Sequence, residues 1–316
     1  MTRVRLRADT GPRTRRPWRP GLLTWSIVLL GLLGLGAVNY PAAAQWFSSL
    51  NQSKIVAAYG SEVEHVTPGP EEQLAQAKRY NAALSSGAVL AANARIPAGT
   101  GSSASPGPDY SAQLRANDAG LMARLRFPTI GADLPVYHGT SDATLLKGAG
   151  HLEGTSLPVG GSSTHSVITA HRGLADAVMF THLDQAKKGD RFSIDVFGEV
   201  LSYRVIDVRT VEPDKTDTLR AVQGKDLVTL VTCTPLGINT HRILVTGERI
   251  TPTPPAELQA AAQPSGLPGF PWWALWLACG VLVLGGFLLV AGWSDARARA
   301  GRPGRGKHGV RSARGQ

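Results

Sequence analysis

The chain has 316 residues, with 33 Lys and Arg against 23 Asp and Glu, and a formal net charge of +10. That length allows about two average domains. At 43% hydrophobic and 18% charged the chain is able to bury a core, which excludes global disorder. The charge also argues against nucleic acid: residues 1–20 carry +6 and residues 294–316 another +6, leaving −2 on residues 21–293. The clustered Lys and Arg of a nucleic-acid groove are absent from the body.

Taken in chain order, a basic tail over residues 1–20 leads into an uncharged stretch from Gly21 to Ser53, of which Gly21–Val38 is almost wholly apolar. It predicts a transmembrane helix over residues 21–44. A cleaved signal peptide is the alternative, because Ala42-Ala43-Ala44-Gln45 resembles a small-residue cleavage site. Residues 45–85 read as a helical stalk. Within it Pro70-Glu71-Glu72 opens a helix, and Leu74, Ala77, Tyr80 and Leu84 recur at helical spacing. Residues 86–115 are rich in Gly, Ser, Ala and Pro and read as a linker, in the plainest view a passive spacer.

Residues 116–250 change to short β-rich runs: Leu121–Phe127, Leu134–Tyr137, His165–Ala170, Arg191–Phe197, Val200–Val208, Leu227–Thr232 and Ile243–Ile250. Short strands with Gly and Pro turns argue for a sandwich or closed barrel, with one short helix expected around Ala175–Leu183. A proline-rich linker over residues 251–269 precedes a second predicted span at 270–293, with Trp272, Trp273, Trp276 and Trp293 towards its ends. The basic tail 294–316 follows. Positive charge beside a span stays in the cytoplasm. Both termini are therefore expected inside and residues 45–269 outside, in a two-pass cell-membrane protein.

There are two cysteines. Cys279 lies in the second span, which leaves Cys233 alone in the exported part. Exported domains pair cysteines into disulfides, so an unpaired thiol at the end of an apolar strand is a candidate nucleophile rather than a structural residue. A thiol needs a cation or base beside it to react. Among eight histidines, His65 and His308 fall outside the folded region, and His138, His151, His165 and His182 read as surface or packing residues. His171 ends an apolar strand, and His241 lies just past the turn after Cys233; both remain candidates. Arg242 begins the next strand and reads equally as an oxyanion donor or a rim salt bridge. Acyl transfer through a thiolate needs no metal, and neither a metal-ligand cluster nor a cofactor motif is visible.

Thr229-Leu230-Val231-Thr232-Cys233, followed by His241-Arg242, resembles the sortase signature TLxTC with an arginine on the next strand. Thr169-Ala170-His171-Arg172-Gly173 resembles its histidine segment. Leu134–Thr140, Gly150–Pro158 and Thr232–Arg242 are similar to the pilus-assembling class C sortases. The resemblance covers about Gly120–Ile250 and implies a closed eight-stranded β-barrel. In it Cys233 is the nucleophile, His171 the proton-transfer partner and Arg242 the oxyanion or substrate-orienting residue. Class C members carry a lid with an Asp-Pro-aromatic box. Here Pro108-Asp109-Tyr110 departs from that order, leaving Asp109 and Tyr110 as the lid candidates, Tyr110 over the thiol and Asp109 beside a cation such as Arg242.

The implied function is a membrane-anchored cysteine transpeptidase. It cleaves an LPxTG-like sorting signal and joins pilin subunits through a lysine amine. Two alternatives are a sortase that uses cell-wall peptide amines, and a non-catalytic exported adhesion or scaffold domain. The joint presence of Cys233, His171 and Arg242 argues against the last.

Overall fold

A computed structural model describes Trp18 and residues 20–88, 109–212, 219–234, 240–266 and 268–300. Most of the two basic tails, most of the 86–115 linker, and residues 235–239 after the Cys233 strand lie outside the described residues.

Eight strands form the central element: β1 Leu121–Phe127, β2 Ala132–His138, β3 Ala149–His151, β4 Thr164–Thr169, β5 Arg191–Val196, β6 Glu199–Val211, β7 Asp226–Thr234 and β8 His241–Ile250. They close in the order β1-β2-β3-β4-β7-β8-β6-β5. The β2–β3 and β4–β7 pairs are parallel and the others antiparallel. Closure pairs every strand on both sides, so no edge is left to recruit another chain. Phe197 and Gly198, both with positive φ (49° and 86°), make the two-residue turn from β5 to β6, the geometry that matches strand twist. Inside the barrel the Phe192 ring lies 5.5 Å from both Phe127 and Tyr203. A Cβ at Gly247 of β8 would come within 2.6 Å of the Phe192 ring, so the close approach there depends on glycine.

The chain divides into two compact units, residues 1–40 with 272–316, and residues 41–271. The first contains the apolar start of α1 (Leu22–Glu64) and α5 (Trp272–Ala300). Leu35 lies over Gly280 and Leu284 over Gly31, the small-residue contact by which apolar helices approach closely. Both helices are long and apolar enough to cross a membrane.

In the second unit the rest of α1 and α2 (Pro70–Ala88) belong to the barrel's own core rather than to a free stalk. Tyr59, Val63, Leu74, Ala77 and Tyr80 join the core cluster of the strands. The apolar stripe expected on residues 74–80 is the face that α2 buries, as an amphipathic helix must. Polar ties fix the docking: Tyr59 donates its hydroxyl to Met122 O (3.0 Å), and Asn81 both donates to Leu157 O (3.0 Å) and accepts from Leu157 N (2.7 Å).

Three local expectations differ. Residues 175–182 form bends and turns and Leu183 opens a 3-10 turn instead of a helix, because Phe180 N donates back to His171 O (3.0 Å) and Met179 adopts a positive φ of 42°. β3 and the one-turn helix α3 (Asp142–Leu145) carry no sequence pattern that marks them, and α4 (Pro255–Ala261) forms within the proline-rich linker 251–269.

Candidate active site

Alternation along three neighbouring strands decides which side chains share a face. Ile168 and Ala170, Val228 and Leu230, and Ile243 and Val245 point into the main core. The residues between them point out, and Val167, Val231 and Leu244 make a separate apolar cluster flanked by Leu152, Val211 and Leu219. Register aligns Thr169, Val231 and Leu244 in one row across β4, β7 and β8.

Two residues further along β7 stands Cys233, paired with Arg242 on β8. On the other side Ala170 N donates to Val231 O (3.2 Å) and Thr232 Oγ1 to Ala170 O (2.8 Å), extending the β4–β7 pairing past the last strand residue. Carried two residues beyond the end of β4, the same offset would bring His171 to the level of Cys233, beside the Cys233–Arg242 pair. All three are half-buried, screened by neighbours yet open to a peptide.

His241 pairs with Thr234, and alternation turns it to the opposite face from Arg242; its Nδ1 lies 3.0 Å from Thr240 Oγ1. Of the two histidines left open by the sequence, His171 shares the face of the thiol. The Arg242 guanidinium donates through Nη1 to His241 O (3.1 Å), which folds it along its own strand end. A second arginine, Arg172, lies at the same barrel end, its Nη1 2.9 Å from Thr234 Oγ1. Sequence reasoning passed over it; its only signal was its place directly after His171.

Three other histidines are held at both ring nitrogens. His138 faces Gly120 O (2.9 Å) and Gln113 O (2.6 Å). His151 faces the Tyr110 hydroxyl and Ser156 O, each at 2.9 Å. His165 faces Arg220 O (2.9 Å) and Thr229 Oγ1 (2.7 Å). Burial lowers the pKa of all three, and that of His151 is pushed down to about 4. Rings held by partners on both sides in this way are packing elements.

Among the described residues, the contacts of Asp109 and Tyr110 lie within their own turn and with α2, β2 and β3. Tyr110 packs against Tyr80, His138 and His151, its hydroxyl donating to His151 and accepting from Gly139 N (3.1 Å). His151 is level with Ile168 and, one strand on, with Leu230, three residues short of Cys233 and two strands away from it. Asp109 caps the 3-10 turn Tyr110–Ala112, accepting from Ser111 N (3.0 Å) and Oγ (2.8 Å). Those bonds hold its carboxyl below the ordinary carboxylate range. Among the described residues, no group of three His, Cys, Asp or Glu is placed to hold a metal ion.

The sortase domain family model matches residues 125–250, which include His171, Cys233 and Arg242. Sortase A of Streptococcus agalactiae serotype III (strain NEM316) is 28% identical over 141 residues, 44% of this chain and 56% of that protein; the chain thus spans just over half the length of this curated relative. Sortase C-1 from Actinomyces oris is 46% identical, with 57% of this chain and 97% of that chain covered, at a TM-score of 0.51. Sortase C1 from Streptococcus agalactiae is 38% identical, covering 62% and 98%, at a TM-score of 0.54. For Streptococcus pneumoniae sortase C the values are 36% identity, 64% and 99% coverage, and a TM-score of 0.51. The chain belongs to the sortase family, and it covers almost the whole length of these three sortase C structures.

Proposed function

We propose that the chain is a membrane-anchored cysteine transpeptidase. It cleaves an LPxTG-like sorting signal between Thr and Gly and passes the acyl group to a lysine amine of a pilin subunit. One observation carries this reading: Cys233 pairs with Arg242 two residues beyond Val231, on the strand next to the one whose end leads into His171. The buried cluster of Val167, Val231 and Leu244, with Leu152, Val211 and Leu219 packed against it, backs this face, and a Leu-Pro segment lying over it brings the Thr carbonyl to the thiol.

The thiolate of Cys233 attacks that carbonyl, and Arg242 donates to the developing oxyanion. His171 gives a proton to the departing glycine amine, leaving a thioester on Cys233. The incoming lysine amine attacks the thioester, loses a proton to His171, and expels the Cys233 thiolate with a new isopeptide bond. A pilin acceptor is supported by the class C relatives, since Streptococcus pneumoniae sortase C is described in connection with pilin substrate specificity. The two apolar helices serve as anchors, with both basic ends in the cytoplasm and residues 45–269 outside.

Cys233→Ala tests the reading. It is expected to abolish the thioester adduct with a sorting-signal peptide and to eliminate covalent pilin ladders. Ladders at normal yield in that variant would defeat the assignment.

A further inference from the structure

The loop that carries His171 is tied to the strand that carries Cys233 by one guanidinium. Arg172 follows His171 and its side chain is only 10% exposed. Its Nε donates to Thr181 O (3.0 Å), its Nη1 to Thr234 Oγ1 (2.9 Å), and its Nη2 pairs with Asp184 Oδ2 (2.7 Å). Thr234 is the residue directly after Cys233. One planar fork therefore joins the end of β7, the returning limb of the His171 loop at Thr181, and the 3-10 turn Leu183–Gln185 that contains Asp184. The limb is closed at its base by Phe180 N donating to His171 O (3.0 Å) and Gly173 N to Thr181 Oγ1 (3.1 Å).

β4 ends at Thr169, and its ladder to β7 runs out with the bonds at Ala170. Beyond that point no strand pairing holds the backbone of His171. The bonds of Arg172 take over one residue later, and they end on the neighbour of the thiol. We propose that Arg172 is a positioning residue: it sets the separation between the His171 ring and Cys233 without touching substrate. This rests on the reading of Cys233 and His171 as the reacting pair. Only a fork with donors in several directions serves all three partners; a lysine ammonium at that position keeps the charge and loses the span.

The test uses the full-length protein in detergent and follows acyl-enzyme formation from an LPxTG peptide. A misplacement of about 1 Å between reacting groups costs on the order of 100-fold in rate. Arg172→Ala is therefore expected to lower kcat by about that factor while KM stays within about 2-fold, because the apolar cluster is untouched. Arg172→Lys is expected to remain as impaired. Thr234→Val, which removes one anchor, is expected to lower kcat about 10-fold and to add nothing in the Arg172→Ala background, whereas independent effects multiply.

Wild-type kcat in Arg172→Lys, multiplying effects in the double variant, or a rise in KM that matches the loss of kcat overturns the role. Should Arg172→Ala fail to fold, Thr234→Val decides alone, and wild-type kcat there overturns it. Cys233→Ala run in parallel separates the two levels. Turnover by that variant defeats the transpeptidase reading itself, while its silence beside a wild-type Arg172→Ala defeats only the positioning role.

Discussion

Arg242 and a lysine in its place carry the same charge, yet they offer a developing oxyanion different geometries. The guanidinium is a rigid planar fork held at the strand end beside Cys233, and an ammonium on a flexible stem is neither planar nor fixed. Arg242→Lys is therefore expected to lose about 100-fold in kcat, the scale for removal of one oxyanion donor. His241→Ala, on the opposite face, is expected to keep normal turnover. Steady-state kinetics on the same peptide checks both, and wild-type kcat in Arg242→Lys would make that residue structural. A thiol at a strand end and an arginine opening the next strand were readable from sequence, and the barrel pairs the two. The choice between His171 and His241 was not readable without the family resemblance, because it depends on which face each strand turns outward. Arg172 was invisible for a similar reason: its three partners lie between 9 and 62 residues away.

The segment that follows the glycine- and serine-rich stretch shows how an element acquires its role from remote partners. Tyr110 is the only aromatic between Tyr80 and Phe127, which made it the natural choice of plug. It is used to fasten residues 109–116 onto α2 and the ends of β2 and β3. Tyr110→Ala is accordingly expected to cost about 2 kcal/mol of stability, less than for a fully buried aromatic because the ring is half-buried. Alkylation of Cys233 in the folded variant is expected to stay at the wild-type rate. Urea unfolding and thiol labelling measure the two separately, and faster labelling without loss of stability would restore Tyr110 to the cleft. Helix α2 was visible because its start, charge and apolar spacing are local features. Its burial in the barrel was not, since the Asn81–Leu157 pairing joins residues 76 apart. β3, three residues long with a central glycine, has too short a pattern to register at all.

Across the whole molecule, charge and protonation make two further claims. With +6 at each end and −2 between, fusions of a cytoplasmic reporter at residue 316 and near residue 255 are expected to be active and silent, respectively. A mature N-terminus at Gln45 would instead reveal a cleaved leader. Stability is expected to fall in mild acid. His138, His151 and His165 have folded pKa values below their ordinary range, so the unfolded chain takes up protons that the folded chain refuses. Their contribution is present above pH 6.5 and disappears as the pH drops through about 4, on the order of 3 kcal/mol for His151. Asp195 and Asp226, raised by burial, act in the opposite sense just above the ordinary carboxylate range. Thermal melts between those limits check the sign, and a slope unchanged in His151→Phe would remove His151 from the account. Cys233 and Arg242 also stand on the outside of strands whose inner faces fill the barrel. On the proposed reading, folding and substrate choice fall to alternate letters of the same short words. Divergence among descendants would then carry a beat of two along the ends of β7 and β8, slow on the side that meets the core and faster on the side turned away from it.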